Sequence, residues 1–274
     1  MYLSPQQRAE KLLQEYRINS VSDLNLVEIA NAEYLIVEEE DLSNHLGRIS
    51  FGSEFGLIKI DSKIKEPGQK RFTLGHEMGH FFNEKEAITV DTKKYNCNSD
   101  DISAFKISKT REDNANSFAV ELLMYKPWFS DYIRKREINF ELIKEIARNF
   151  NVSLTSAAIR YSEIGKFPIA VILSRDGKKV WSSINEYFPF RWIPKEYAVR
   201  KESAAYDFFA LTPYPSPKGR GEYKEMQTCA DLIPAYTWFA EDYKCRQDVY
   251  LYEQNVAMPN YNSVLTLLWE SEFK

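Results

Sequence analysis

"RFTLGHEMGH", residues 71–80, decides the reading of this chain. The sequence holds three histidines, and two of them, His76 and His80, stand four apart with Glu77 beside the first. On an α-helix that spacing puts both imidazoles on one face, one turn apart, where they can reach a single ion. Rotating by about 100° per residue from His76, His80 lies within about 40°, whereas Leu74, Met78, Phe81 and Phe82 gather on the opposite side. One face takes a metal and the other takes the core. Gly75 and Gly79 flank the ligand face, and two glycines in one helix weaken it unless another backbone must come close there.

A hydrolytic zinc site uses three protein ligands and leaves a fourth position to water, so one more donor must come from downstream. "TREDNANSFAVELLM", residues 110–124, offers Glu112 and Asp113. From Glu112, the residues Ala115, Asn116, Ala119 and Leu123 lie within roughly 60°, a face of small residues suited to packing on the histidine helix. Asp113 lies about 100° around, toward Asn114, Ser117 and Glu121 on the polar side. Glu112 is therefore the chosen third ligand. Asn116, one turn on, is placed to hydrogen-bond the second nitrogen of a ligand histidine and fix its tautomer. Glu77 is the general base, taking a proton from water and passing it to the leaving amine. No oxyanion-stabilising residue can be read from the sequence. His45, beside Asn44, reads as a solvated loop residue.

The chain has 274 residues and 44% hydrophobic content, enough for one large or several small domains with a sizeable core. Its formal charge of -4, from 40 acidic and 36 basic side chains, calls for no polyanion partner. Cys97, Cys229 and Cys245 are odd in number and widely spaced, which fits free thiols in a reducing compartment. The N-terminal stretch lacks the apolar run of a secretory signal, and no apolar run approaches the ~20 residues of a membrane span. The expectation is a soluble, cytoplasmic protein.

Helices are expected over 4–17, 22–32, 69–82 and 110–124, with Pro127 ending the last, and strands over "EYLIVEEE" and the two halves of "GRISFGSEFGLIKID". Residues 139–164 read as two helices around the turn "FNVS", with Ser153 as a cap. Beyond Gly165 the character turns β-rich. "FPIAVILSRDGKKVWSSI" is a hairpin turning at Asp-Gly, and "LIPAYTWFA", "DVYLYEQNV" and "SVLTLLWES" suit strands. "TPYPSPKGRGEYKE", 212–225, reads as a mobile surface loop. The fold class is α+β: a helical zincin-like catalytic domain with a small sheet over 1–130, a helix-turn-helix-like segment over 131–166, and a β-rich domain over 167–274.

"RFTLGHEMGHF" followed by "EDNANSFAVELLM" resembles the ImmA/IrrE family of zinc metallopeptidases, whose histidine helix precedes an E-x-x-A-N-x-F-A-x-E-L-L-M-P helix. The resemblance extends to "EIANAEYLIVEEEDL" upstream and to "IARNFNVSLTSAAIRY" and "SVLTLLWES" downstream. It implies one zinc ion on His76, His80 and Glu112 with Glu77 as base, in agreement with the helix geometry. Tyr125 departs from the family's proline and Asn114 from its common acid. The resemblance also implies a substrate: a helix-turn-helix transcriptional repressor, cleaved at one site to release stress-response or mobile-element genes. Imidazole and carboxylate ligands would equally accept manganese, cobalt or iron, and zinc is favoured by affinity order and by the resemblance.

Direct DNA binding through residues 140–161 has little support. The span 133–166 carries seven basic and four acidic side chains, and its second helix has Arg160 as its one cation. The pair is read as helices packed on the peptidase core or engaging the repressor. In the β-rich part, Trp181, Trp192, Trp238 and Trp269 read as core residues. Its place in the chain resembles that of the GAF-like sensor domain of some relatives, which implies a regulatory module. The competing reading is a non-proteolytic transcriptional regulator with a vestigial metal site, binding DNA or a repressor through these two parts.

Overall fold

The computed structural model describes residues 3–43, 45–52, 55–84, 94–97, 111–211, 227–258 and 262–270. The segment 212–225 and most of the polar stretch 83–108 lie outside them. The chain divides into two compact units, Met1–Arg134 with Ile146–Leu154, and Lys135–Glu145 with Thr155–Lys274.

The first unit begins with helix α1 (Pro5–Glu15), closed by a capping box in which the Ser4 side chain accepts from Gln7 N–H and the Gln7 side chain from Ser4 N–H. Ala9, Leu12 and Leu13 bury its apolar stripe. The helix expected over 22–32 is two pieces, a 3-10 turn at Val21–Asp23 and α2 (Leu26–Ala32). They separate because Leu24 leaves helical conformation and the Asn25 side chain starts a new helix by accepting from Glu28 N–H. Strands β1 (Leu35–Glu40), β2 (Gly47–Phe51) and β3 (Gly56–Asp61) follow. With β4 (Lys94–Cys97) they form a four-stranded sheet in the order β1-β3-β2-β4, in which β1 is parallel to β3 and the other pairs are antiparallel. Alternate residues Ile49, Phe51, Ile58 and Ile60 bury one face.

Helix α3 (Pro67–Glu84) carries the histidines and packs on α4 (Arg111–Leu123). Pro127 does not simply stop a helix: it lies in the first turn of α5 (Lys126–Tyr132), where its missing N–H leaves no bond unmade. Glu121, read as part of a polar surface, is buried instead, and its carboxylate accepts from Lys126 N–H at 3.0 Å. It starts the next helix in the role usually taken by a capping residue.

Helices α6 (Phe140–Phe150) and α7 (Leu154–Ile164) flank a turn at Asn151, which takes a positive φ of 49°. The division between the units runs through α6. The second unit holds a five-stranded antiparallel sheet in the order β6-β5-β9-β8-β7, from β5 (Ile169–Arg175), β6 (Lys178–Ile184), β7 (Asp231–Pro234), β8 (Tyr250–Met258) and β9 (Ser263–Glu270). Asp176 and Gly177, at φ 51° and 75°, make the expected two-residue turn between β5 and β6. Helix α8 (Ala204–Leu211) and the aromatic side chains of Phe188, Phe190, Trp238 and Phe239 complete the core.

Two strand-region readings change. "LIPAYTWFA" is a short strand and then a turn of helix, α9 (Tyr236–Phe239), because pairing with β8 ends at Pro234. The turn buries Thr237, Trp238 and Phe239 together. Trp192 is 52% exposed, its backbone N–H fixed at the surface by Asp242 Oδ2 at 3.0 Å.

Candidate metal centre

Helix α3 can lie close to α4 because both are small where they meet. A methyl group at Gly79 would stand 2.8 Å from the Ala115 carbonyl oxygen, closer than any side chain tolerates. One at Gly75 would meet Ala119 at 3.5 Å, an ordinary contact. The glycines flagged in the sequence therefore admit a second helix, which carries Glu112 and Asn116 to the histidine face.

The result is a triangle of donors. His76 Nε2 lies 3.1 Å from His80 Nε2 and 3.2 Å from Glu112 Oε2, and His80 Nε2 lies 3.4 Å from the same oxygen. Both rings are buried, and Glu112 is partly open to solvent. An imidazole nitrogen carries at most one hydrogen, directed along the ring bisector, so hydrogen bonds cannot satisfy all three edges. One cation at the centre can. For ligand bonds of about 2.0 Å, the edges of a tetrahedral site are about 3.3 Å, the size of this triangle. The donor set thus fits a divalent ion with a coordination position left over. Asp113, the acid set aside on helix geometry, is not part of the cluster.

His76 Nδ1 lies 2.8 Å from Asn116 Oδ1. An amide oxygen only accepts, so Nδ1 carries the hydrogen and Nε2 turns its lone pair to the triangle. Burial pushes the Glu112 carboxyl up, but hydrogen bonds with His76 and His80 and their charge outweigh it and hold the group well below the usual carboxylate range. Glu77 is fully buried on the same helix, next to His76. Behind it stands a residue the sequence reading passed over, Gly47 at the start of β2. The available signal was a glycine at a position where the strand's alternation calls for an apolar side chain.

Comparison with known proteins agrees with the family read from the sequence. Residues 32–162 match the IrrE N-terminal-like domain of peptidase family M78. No curated protein matches the chain. Among solved structures, a Mycobacterium tuberculosis transcriptional regulator superposes with a TM-score of 0.55 at 14% identity, over 97% of this chain and 76% of that one. At that identity the likeness concerns the fold. Among the described residues no helix is long and apolar enough to cross a membrane.

Proposed function

Residues 32–162 are an IrrE N-terminal-like domain of peptidase family M78, and from that premise we propose that the chain is a zinc-dependent, site-specific endopeptidase acting on a helix-turn-helix transcriptional repressor. The observation that carries this reading is the triangle of His76 Nε2, His80 Nε2 and Glu112 Oε2 with Glu77 beside it on α3. These three atoms would hold the zinc. Bound there, the ion supplies a Lewis acid that polarises water and the scissile carbonyl. Asn116 holds the His76 ring with Nε2 forward. The Glu77 carboxylate takes the proton of the attacking water and returns it to the leaving amine. Burial on α3 keeps that carboxylate from wandering into solvent.

The second reading, a regulator that acts by binding alone, draws on the solved neighbour, which is named a transcriptional regulator. Against its DNA-binding form, α7 buries six consecutive residues, Ala157 to Ser162, and its one cation, Arg160, lies 3.6 Å from Glu163. A helix so covered has little to offer a groove. The test is incubation of zinc-loaded protein with candidate helix-turn-helix repressors from the same organism, read by intact-mass spectrometry. A single cut, abolished by Glu77→Gln, is expected. Full-length repressor surviving every condition would favour the binding protein.

A further inference from the structure

We infer that Gly47 positions the catalytic base: the absence of a side chain there is what lets the Glu77 carboxylate occupy its place. The inference rests on the proposed role of Glu77.

Strand β2 buries Gly47, Ile49 and Phe51 on one side, with Arg48 and Ser50 on the other. That buried side faces α3, since Phe51 stacks on Phe81 with ring centroids 6.1 Å apart. Alternation therefore calls for an apolar side chain at 47. The backbone does not call for glycine, because positive φ among described glycines occurs at Gly177 alone. What excludes a side chain is the helix. A methyl group at Gly47 would overlap Glu77 Oε1, and would stand 3.0 Å from Glu77 Cδ and 2.7 Å from Thr73 Cγ2.

The strand has no room to retreat. Gly47 is paired with Ile60 of β3 on one side and Cys97 of β4 on the other, and the Leu46 carbonyl accepts from Asp61 N–H at 2.9 Å. Thr73 is also anchored, its hydroxyl donating to the Gln69 carbonyl at 3.0 Å. Of the two side chains in the contact, Glu77 meets position 47 with the far end of a long, rotatable side chain, whereas Thr73 meets it with the methyl of a stiff β-branched one. Gly47→Ala would thus be relieved by swinging the carboxylate away, a change small for the fold and large for chemistry, where a misplacement of about 1 Å can lower rates about 100-fold.

The test needs no substrate. Acetohydroxamic acid chelates zinc through two oxygens, one of which takes the place of the attacking water and shares a proton with a carboxylate beside it. Its affinity for the zinc-loaded full chain is measured by calorimetry, with zinc content and melting temperature recorded alongside. Glu77→Gln is expected to weaken binding about 10- to 100-fold with zinc retained. Gly47→Ala should match it, with zinc retained and melting little changed. Gly47→Ala/Thr73→Ser, which removes the crowded threonine methyl, should remain as weak, and it carries the test if the single variant does not fold. Wild-type affinity in zinc-loaded Gly47→Ala, or its recovery in the double variant, would overturn the inference while leaving the metal centre standing. A wild-type chain that keeps no zinc, or a Glu77→Gln chain that binds the probe normally, would instead overturn the proposed function and this inference with it.

Discussion

Asn116 Oδ1 lies 2.8 Å from His76 Nδ1, so a side chain on α4 sets the tautomer of a ring on α3. Asn116→Ala should leave the helix pair folded and weaken zinc binding by about 10- to 100-fold, because His76 then loses its orienting partner. Competition against a chelator of known affinity measures this. Unchanged affinity would mean that something other than Asn116 orients the ring.

The two glycines of α3 should part company. Gly79→Ala forces a methyl against the Ala115 backbone, and relief by separating α3 from α4 is expected to cost about 1–3 kcal/mol. Since separation also withdraws Glu112, zinc affinity should fall with stability. Gly75→Ala meets only ordinary contacts and gains helix propensity, so it should be neutral or stabilising by up to about 1 kcal/mol. Thermal melts of the two variants, with and without zinc, separate the cases.

Zinc binding should fail on acidification through the histidines. The Glu112 carboxyl is held well below its usual range, so it stays ionised as pH falls and does not set the limit. Zinc takes neutral imidazole, so protons compete with the ion for both Nε2 atoms. Apparent affinity is expected to fall as pH is lowered, by up to about 100-fold per pH unit once both imidazoles bind protons in the free protein. Stabilisation by zinc is therefore present at neutral pH and lost on the acid side. Affinities measured from neutral pH into the acid range check the sign, and an affinity that does not fall with pH would exclude two imidazole ligands.

The convergence of His76, His80 and Glu112 was legible because helix periodicity alone fixes which residues share a face, and because Ala115 and Ala119 announce a close helix contact opposite Gly75 and Gly79. Hairpin β5–β6 was legible from Asp176 and Gly177, which tolerate the positive φ the turn demands. What was not legible depends on partners distant in sequence. Glu121 is polar by type but caps α5 from inside. Trp238 turns from strand to helix to reach Glu253, and Trp192 is held outward by Asp242. Gly47 showed only that a side chain is missing where the strand's alternation calls for one; the groups that fill the space, Thr73 and Glu77, come from another element.

The second unit offers a test independent of the metal. The buried Glu253 carboxylate accepts from Ser203 Oγ, Trp238 Nε1, Ala204 N and Asn255 Nδ2, at 2.8 to 3.0 Å. With every lone pair taken by a donor, the group joins β8 to the start of α8 and to α9. Glu253→Gln turns an amide N–H₂ toward those donors and leaves buried groups unsatisfied, at a cost of about 3 kcal/mol. Denaturant unfolding should report that loss while zinc content stays at the wild-type value. A variant of wild-type stability would show that the network is not needed by the fold.

The most direct measurement is zinc content per chain by plasma mass spectrometry, on protein reconstituted with zinc and desalted, with Glu112→Ala alongside. One tightly held zinc in the wild type, lost or strongly weakened in the variant, is the result expected of a three-ligand centre on α3 and α4. A wild-type chain that retains no metal, or a Glu112→Ala chain that holds zinc as tightly as the wild type, would contradict it.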